Sequence, residues 1–459
     1  MPLSAKRPGA DTLARAEAAE RDQGLIDEGR TAEPIFRRVD QHLKADPGRV
    51  VVRPFHLSWQ ASGLASGRSS KLVQDILDMS PAAVERALEE VFHDFDQRHW
   101  QIKRVFETRC REVIRSLQID PDRLEPERRL LIGAYFCHEY SFAAAALMNP
   151  SIVPHPDQSG LDGKTVRFVL SLRAVGEGHV SSIAFREGLV SEGGKLELLP
   201  EPRIATSAIA QSSWTKDPDG TVIVERDPDS TLSGTVIFPV TPAQSNGLED
   251  LRLTRFEHDD GDVEWLGTYT AYSGQAIRSE MIRTKDFRSF ALTPLAGSAA
   301  VNKGMGLFPR KIGGCYLMIG RQDGKNLYLL TSDELTEWSG GVKIMEPAFP
   351  WEFIQIGNCG APIELDEGWL LLTHGVGPMR KYALGAALLD KKDPSKVLAR
   401  TAEPLLTAAD HEREGYVPNV VYTCGGLRLG STLFLPYALA DSSITFAFAD
   451  LPDLLGRMS

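Results

Sequence analysis

The sequence has few cysteines, no long apolar run and no excess of positive charge. Its five cysteines are an odd set without a Cys-x-x-Cys pair, which predicts reduced thiols and argues against a disulfide framework or a zinc site. A formal net charge of -11 argues against nucleic acid or an anionic membrane as the main partner. The first 30 residues contain no apolar signal core, and the run from Ala143 to Met148 is too short to span a bilayer. We therefore expect a cytoplasmic protein with no membrane segment and no bound metal.

The residue pattern changes along the 459-residue chain, which has 42% apolar residues and can bury sizeable cores. Residues 1–35 lack a sustained apolar stripe, so we expect a mobile N-terminal tail. Residues 36–147 show helical periodicity and are predicted to form an α-helical appendage, packed on the next domain or on a second subunit. Residues 148–459 contain short apolar or alternating runs between Gly, Asp, Asn and Pro, which predicts an all-β body.

Three helices are predicted in the appendage. Ser80-Pro81 supplies an N-cap and a first-turn proline, and apolar residues then recur at helical spacing as far as Phe95. The same period continues from Trp100 to Leu117. A third helix is predicted from Pro126 to about Met148. The pair His138-Glu139 lacks metal-ligand spacing and is interpreted as packing on that helix.

The predicted strand starts recur at similar intervals in the β region. Lys303, Gly357 and Pro418 follow Asp250 at successive intervals of 53, 54 and 61 residues, and Asn149 precedes Asp250 by 101. These intervals fit about five units of four strands each, which is typical of a β-propeller. A pair of β-sandwiches is the alternative that the spacing leaves open.

The stretch Gly247-Leu248-Glu249-Asp250-Leu251-Arg252 places two adjacent carboxylates and an arginine between a polar loop and an apolar strand. Successive side chains on a strand face opposite ways, so Glu249 and Asp250 are predicted to point apart. One would be the working acid and the other its salt-bridged support. Solvated turn chemistry is the alternative for this pair.

Further motifs follow this stretch in a fixed order. They are Thr268-Tyr269-Thr270-Ala271-Tyr272, Asn302-Lys303, Leu307-Phe308-Pro309, Gly320-Arg321, Gly360-Ala361-Pro362-Ile363, Gly368-Trp369-Leu370, Thr373-His374-Gly375 and Pro418-Asn419-Val420-Val421. As an ordered set, from about Asn149 to the C-terminus, they resemble glycoside hydrolase family 130. The resemblance implies a mainly β fold, a five-bladed β-propeller, here preceded by the α-helical N-terminal region, that cleaves β-mannosides by phosphorolysis or hydrolysis.

The same resemblance implies roles for single residues. Asp250 corresponds to the catalytic proton donor, which in the family passes its proton through a hydroxyl of the bound sugar. Lys303, Arg321, His374 and Tyr382 correspond to phosphate ligands. A second group corresponds to substrate-binding residues. Its members are Asn149, Arg173, Glu249, Tyr272 and Gln355.

Each of these roles has a structural alternative. Lys303 and Arg321 are equally well read as a surface pair, and His374 as a core histidine bonded to backbone. Arg173 would otherwise be a strand-end arginine. Tyr269 and Tyr272 could form a stacking face for an acceptor sugar or could instead pack between blades. Gln355 is a departure, because phosphorylases often have a lysine just before the Ile-Gly turn.

Three functional hypotheses remain at this stage. The first is an inverting β-mannoside phosphorylase that needs no cofactor and uses inorganic phosphate as co-substrate. The second is an inverting β-mannosidase of the same fold, with Glu177, Glu187 or Glu364 as base. The third is a non-catalytic carbohydrate-binding propeller. In each case the expected partner is an oligosaccharide, and we expect a homo-oligomer.

Overall fold

Strands dominate the computed structural model, which describes residues 34–55, 67–210 and 220–459. Phe36–Ser459 forms one compact unit. The tail predicted for residues 1–35 lies, apart from its last two residues, outside the described part of the chain. In the three ranges above, no helix has both the length and the apolar character that a bilayer span requires.

Four of the five described α-helices lie between residues 67 and 135. The helices are α1 Gly67–Leu77, α2 Pro81–Phe95, α3 Ile102–Ser116, α4 Pro126–Tyr135 and α5 Leu451–Leu455. The predicted start of α2 is confirmed, since the Ser80 side chain accepts a hydrogen bond from the Ala83 amide and Pro81 opens the first turn. Helices α1 to α4 share an apolar core that includes Val84, Val113 and Ile132.

The third helix is shorter than the sequence pattern predicts. Helix α4 ends at Tyr135, and the residues beyond it form two strands, Cys137–Ser141 and the start of Ala146–Pro154. The apolar residues that suggested a helix, Phe142 among them, are buried against the β body instead. Sheet pairing has therefore overridden local helical periodicity here. His138-Glu139 lies on a strand, where Glu139 accepts hydrogen bonds from Arg98 and contacts His99.

The described strands are numbered in chain order. They are β1 Arg37–Lys44, β2 Val50–Pro54, β3 Cys137–Ser141, β4 Ala146–Pro154, β5 Thr165–Val175, β6 Ser181–Ser191, β7 Leu196–Leu198, β8 Thr206–Ser207, β9 Ile209–Ala210, β10 Val222–Glu225, β11 Thr235–Ile237, β12 Gly247–Glu257, β13 Val263–Tyr272, β14 Ile277–Thr284, β15 Ser289–Pro294, β16 Gly306–Leu307, β17 Tyr316–Gly320, β18 Leu327–Ser332, β19 Val342–Met345, β20 Gln355–Asn358, β21 Ile363–Glu364, β22 Trp369–Val376, β23 Tyr382–Leu389, β24 Val397–Arg400, β25 Leu406–Thr407, β26 Val421–Tyr422, β27 Leu427–Leu429, β28 Thr432–Leu439 and β29 Ser443–Asp450.

Most of these strands form antiparallel sets of neighbours along the chain. The sets are β4–β7, β12–β15, β16–β19, β20 with β22–β24, and β26–β29. The first two sets belong to one larger sheet, in which β6 and β12 touch in parallel at Ser181 and Gly247. In the last two sets the outer position is shared by two short strands, since β20 and β21 both pair with β22, and β26 and β27 both pair with β28.

Strand β1 completes the last sheet, although it lies at the other end of the sequence. It pairs antiparallel with β29, with Val39 opposite Phe446 and Leu43 opposite Ile444. Leu43 is buried in the same core cluster as Phe434 and Phe446. The C-terminal sheet therefore depends on a strand from the N-terminal part of the chain.

Removing the buried side chain of β1 should destabilise the whole unit. We expect Leu43→Ala to lower the free energy of unfolding by about 2–5 kcal/mol, because it leaves a cavity between two sheets. The neighbouring change Lys44→Ala, on an exposed side chain of the same strand, should stay within about 0.5 kcal/mol. Urea denaturation of the two variants measures this, and equal effects would contradict a structural role for the β1 contact.

Candidate active site

Two interruptions of regular strand pairing bring Asn149 and Asp250 together. The register of β4 shifts between Met148 and Ser151, and that of β12 shifts between Glu249 and Arg252. Asn149 and Asp250 lie inside these bulges with φ of 51° and 56°, in the left-handed region that non-glycine residues rarely adopt. Asn149 Nδ2 donates a hydrogen bond of 2.6 Å to Asp250 Oδ1. Strained backbone of this kind clusters at functional sites.

Arg173 on β5 binds both adjacent carboxylates. Its Nη1 donates to Asp250 Oδ1 at 3.1 Å and its Nη2 to Glu249 Oε1 at 2.6 Å, while Nε donates to Ser181 Oγ at 2.9 Å. The prediction that Glu249 and Asp250 point apart is therefore wrong. The bulge breaks the alternation of the strand, so two successive side chains reach one guanidinium.

The two carboxyl groups have opposite pKa shifts. Burial alone would raise the pKa of Asp250, but Arg173, Lys303 and the hydrogen bond from Asn149 outweigh burial and lower it to about 2. For Glu249, burial dominates and raises the pKa, with Arg173 opposing the shift and Asp250 adding to it. Asp250 is thus the more acidic member of the pair.

Arg252 connects the acidic cluster to the C-terminal sheet. It is 3% exposed, and its Nη1 donates to the Asn358 carbonyl at 2.7 Å while Nη2 donates to the Tyr422 hydroxyl at 2.6 Å. Tyr422 was not predicted as a site residue, although it directly follows the Pro418-Asn419-Val420-Val421 motif. Its ring also packs edge-on against His374, with a centroid distance of 4.8 Å.

Arg321 and His374 meet in the buried part of the same region. Arg321 follows β17 and is 8% exposed, and His374 on β22 is 3% exposed. Arg321 Nη1 lies 3.4 Å from His374 Nε2. Among the described residues Arg321 has no carboxylate within salt-bridge distance, whereas Arg173 has two. A buried guanidinium without an anionic partner is costly, so this position favours binding of an external anion.

His374 is a neutral imidazole in this environment. Burial is the main cause that holds its pKa well below the ordinary value, followed by the positive charges of Arg321 and Arg252, and the charge of Asp250 opposes the shift. The Tyr382 ring stacks on the imidazole with centroids 6.0 Å apart. These effects imply that Asp250, Arg252 and Arg321 all lie close to His374. The ordered motifs, which are distant in the sequence, therefore meet in one region.

Lys303 supplies a cation on the loop between β15 and β16. Its charge lowers the pKa of Asp250 and Glu249, so it lies close to the carboxylate cluster. It forms no salt bridge within 4.0 Å in the described part of the chain, and the preceding Asn302 has φ of 65°. Lys303 therefore lies near the acidic pair but forms no salt bridge with it.

Asp441 is a site residue that sequence reasoning missed. It lies in the turn between β28 and β29, where Ala440 and Asp441 both have φ of 48°. Burial raises the pKa of Asp441 to about 6, Asp250 adds to the rise, and Arg173, Arg380 and Lys303 oppose it. The motif Ala440-Asp441 has no distinguishing pattern in the sequence, and only the strained turn and its charged neighbours reveal it.

Two of the predicted substrate residues lie at the edges of this cluster. Tyr272 ends β13 opposite Gly247, and its hydroxyl donates to the Gly274 carbonyl at 3.3 Å. Gln355 begins β20 and pairs with Val376, two residues along each strand from the Gly357–His374 pair. Tyr269, which was considered as a stacking ring, is 2% exposed and donates to Glu280.

The glutamates considered as hydrolytic bases have other partners. Glu364 accepts two hydrogen bonds from Arg310, at 2.9 and 2.7 Å, and Lys391 lies 3.6 Å away. Glu187 accepts from Ser233 and lies 3.7 Å from His155. The Glu177 carbonyl accepts from the Tyr140 hydroxyl. No contact in the described structure joins these three side chains to Asp250.

The chain is similar to known proteins over part of its length. Residues 230–459 match the family 130 glycoside hydrolase model, described as β-1,4-mannooligosaccharide phosphorylase. A 1,2-β-oligomannan phosphorylase of Thermoanaerobacter sp. (strain X514) is 39% identical over 155 residues, which are 33% of this chain and 52% of that protein. A β-1,2-mannobiose phosphorylase of the same organism is 33% identical over 217 residues, 46% of this chain and 70% of that protein.

A solved structure shares the fold. The crystal structure of a candidate glycoside hydrolase from Bacteroides ovatus ATCC 8483 has a TM-score of 0.50 and 20% identity, and the match covers 68% of this chain and 89% of that one. The chain thus spans about half the length of the first relative above and most of the solved structure.

Removing the positive charge of Arg173, which binds both carboxylates, should destabilise the protein in a pH-dependent way. In the unaltered chain the lowered pKa of Asp250 gives stability that is present above about pH 4 and lost only as the pH falls towards 2. In Arg173→Gln the largest effect that opposes burial is lost at both groups, so both pKa values rise. The variant should then lose stability as the pH rises from 5 to 7.5, with a deficit of roughly 3–5 kcal/mol at the higher pH.

Urea denaturation at pH 5 and pH 7.5 tests this expectation. Arg167→Gln is the matched control, because Arg167 is on the same strand and pairs with the exposed Asp157, so its effect should be below about 1 kcal/mol. A deficit for Arg173→Gln that is the same at both pH values would contradict the proposed balance of charges.

Proposed function

This chain belongs to glycoside hydrolase family 130, and on that premise we propose that it cleaves β-mannosides with inversion by transferring a mannosyl group to inorganic phosphate. The names of the relatives above favour β-1,2-linked substrates. The products would be mannose 1-phosphate of the opposite anomeric configuration and an acceptor sugar shortened by one unit. No cofactor is needed for this exchange, because phosphate itself is the nucleophile.

The proposal depends above all on the buried guanidinium of Arg321, which has no carboxylate partner among the residues that the structure describes. A planar guanidinium binds an oxyanion through two parallel hydrogen bonds, and Lys303 adds a second positive charge without a salt-bridge partner in the described chain. Tyr382, whose ring stacks on His374, adds a hydroxyl to this set of groups. Together these groups provide the charge and donors that a phosphate dianion requires.

The carboxylate side of the site suits a sugar. Asn149, Arg173, Glu249 and Asp250 offer donors and acceptors converging on one point, as recognition of sugar hydroxyls requires. Asp250 is the proposed proton donor, acting through a hydroxyl of the bound mannosyl unit. In the reaction a phosphate oxygen attacks the anomeric carbon, the bond to the leaving oxygen breaks, and the relayed proton goes to that oxygen.

Phosphate binding would also prepare the acid. Burial would raise the pKa of Asp250, but Arg173 and then Lys303 hold it low. A phosphate dianion beside Lys303 cancels part of that positive field, so it raises the pKa of Asp250 towards protonation. Asp441, with its pKa of about 6, is a nearby group from which a proton can come.

An inverting hydrolase is the second candidate, and Gln355 is the observation that favours it. An uncharged side chain stands where phosphorylases often carry a lysine, which weakens the cation cluster. Against it, Glu364 is held by Arg310 and Lys391 and is not free to activate water at this site. A carbohydrate-binding protein without catalysis is the third reading.

The remaining features form part of the same proposal. The five strand sets and the β1–β29 pairing support a five-bladed β-propeller as the catalytic body of residues 148–459. Residues 36–147 would be the appendage, except that β1 joins the last sheet of the body. We also propose a homo-oligomer, with an oligosaccharide as the substrate and the cytoplasm as the location.

Phosphate dependence tests the function directly. We expect β-1,2-mannobiose to yield mannose 1-phosphate only when phosphate is present, with β-1,4-mannobiose as the comparison substrate. Arg321→Gln should raise the KM for phosphate by roughly ten- to a hundredfold, because a charged hydrogen-bonding partner is lost. Arg283→Gln, which removes an arginine paired with Glu264, should leave that KM unchanged. Equal sugar release in phosphate-free buffer would establish the hydrolase instead.

Substitution of the acid separates an enzyme from a binding protein. Asp250→Asn should reduce kcat by roughly 10²–10⁴-fold, since an amide cannot supply the proton, while mannobiose binding measured by calorimetry should persist. The isosteric change also keeps an acceptor for Asn149. If Asp250→Asn retained the full turnover rate, another residue would have to be the acid.

A further inference from the structure

Lys303 lies on a loop whose backbone is fixed on both sides of it. The loop connects β15 to β16. Asn302 and Gly304, which flank the lysine, have φ of 65° and 90°, in the left-handed region that is rare for residues other than glycine. The Lys303 amide donates a hydrogen bond of 3.0 Å to Asn302 Oδ1. The point from which the lysine side chain leaves the backbone is therefore well defined.

Two buried hydroxyl groups bind the carbonyls of this loop. Ser279 Oγ on β14 donates to the Asn302 carbonyl at 3.3 Å, and Thr268 Oγ1 on β13 donates to the Met305 carbonyl at 2.5 Å. Both side chains are 2% exposed. Thr268 pairs with Met281, two residues along β14 from Ser279, so the two hydroxyls lie on one face of the sheet. The loop is thus bound to that face one residue before the lysine and two residues after it.

The loop also packs closely against the surroundings of Arg252. A Cβ atom on Gly304 would lie 3.6 Å from Arg252 Nη2, which is van der Waals contact with the guanidinium. A Cβ atom on Gly306 would lie only 2.5 Å from both the Gly360 carbonyl oxygen and Asn358 Nδ2. Contacts this short leave the loop backbone little room to move in a packed interior.

A lysine depends on a fixed backbone more than an arginine does. A guanidinium such as that of Arg321 is a planar fork that matches an oxyanion, whereas an ammonium is a point charge on a flexible four-carbon stem. The charge of Lys303 lowers the pKa of Asp250 and opposes the rise at Glu249, so it lies within reach of both carboxylates. If the loop moved, the ammonium could pair with them, and its charge would be lost to phosphate.

We propose that Thr268 and Ser279 are positioning residues that act on phosphate binding through Lys303. The inference rests on the proposed function, and it adds two uncharged residues that act on phosphate only through the loop. Their hydroxyls hold the loop where the ammonium forms no salt bridge with the acidic pair. Removing one hydroxyl therefore weakens phosphate binding but leaves the chemistry after binding unchanged.

Kinetics of a nearly isosteric variant test the proposal. Thr268→Val removes the donor and should raise the KM for phosphate about three- to tenfold, with kcat at saturating phosphate nearly unchanged. Thr268→Ser keeps the hydroxyl and should restore most of the affinity. Thr445→Val is the matched control, because the Thr445 hydroxyl is also buried and donates to a distant carbonyl, that of Val39, at 3.2 Å. It should leave the KM for phosphate unchanged.

A double-mutant cycle shows whether the effect passes through the lysine. Lys303→Met removes the charge and should itself raise the KM for phosphate. In that background Thr268→Val should have no further effect on the KM, because no charge remains to be positioned. An equal rise in both backgrounds would overturn the proposal. Ser279→Ala, which removes the longer hydrogen bond, should give a smaller rise that also vanishes in Lys303→Met.

Hydrogen exchange supplies a measurement that needs no phosphate. In phosphate-free buffer the amides of residues 301–306 should exchange faster in Thr268→Val than in the unaltered chain or in Thr445→Val, and equal exchange would contradict the hold on the loop. An unaltered chain that releases sugar equally well without phosphate refutes the proposed function and leaves this exchange result unaffected. An unchanged KM for phosphate in Thr268→Val, with phosphate dependence intact, refutes only the positioning role.

Discussion

The candidate site depends on one interaction, the contact of Arg173 with two carboxylates that are adjacent in the sequence. Glu249 and Asp250 reach the same guanidinium only because the strand is bulged between Glu249 and Arg252. The matching bulge at Asn149 brings an amide to the same aspartate. Two bulges thus create the acidic centre, and the regular sheets around them keep the backbone of the bulges in its strained conformation.

Charge is distributed unevenly around that centre. Arg173 is compensated by two carboxylates, whereas Arg321 has only a neutral imidazole beside it among the described residues. For the proposed reaction this difference matters, since the positive charge of Arg321 is left to attract phosphate. The two arginines Arg173 and Arg321 therefore differ in function because their partners differ.

Local patterns predicted some parts of this molecule and not others. The Ser80 cap, the mainly β body and the family followed from short-range signals and from the order of motifs, and these are confirmed. The joint orientation of Glu249 and Asp250 could not be predicted, because a bulge is set by the register of the partner strand. The end of helix α4 was missed for the same reason: residues after Tyr135 pair with β2, and nothing local to them shows it. Tyr422 and Asp441 enter the site through contacts with residues more than a hundred positions away.

The pairing of β1 with β29 sets an order for biosynthesis. Val39 and Thr445 are 406 residues apart and are joined by a hydrogen bond across this pair. During translation β1 emerges early and has no sheet to join until its partner has left the ribosome. The turn that carries Asp441 belongs to that same late hairpin, so the charge cluster is complete only once this hairpin has been made. Activity would then begin only after nearly all of the β body has been synthesised.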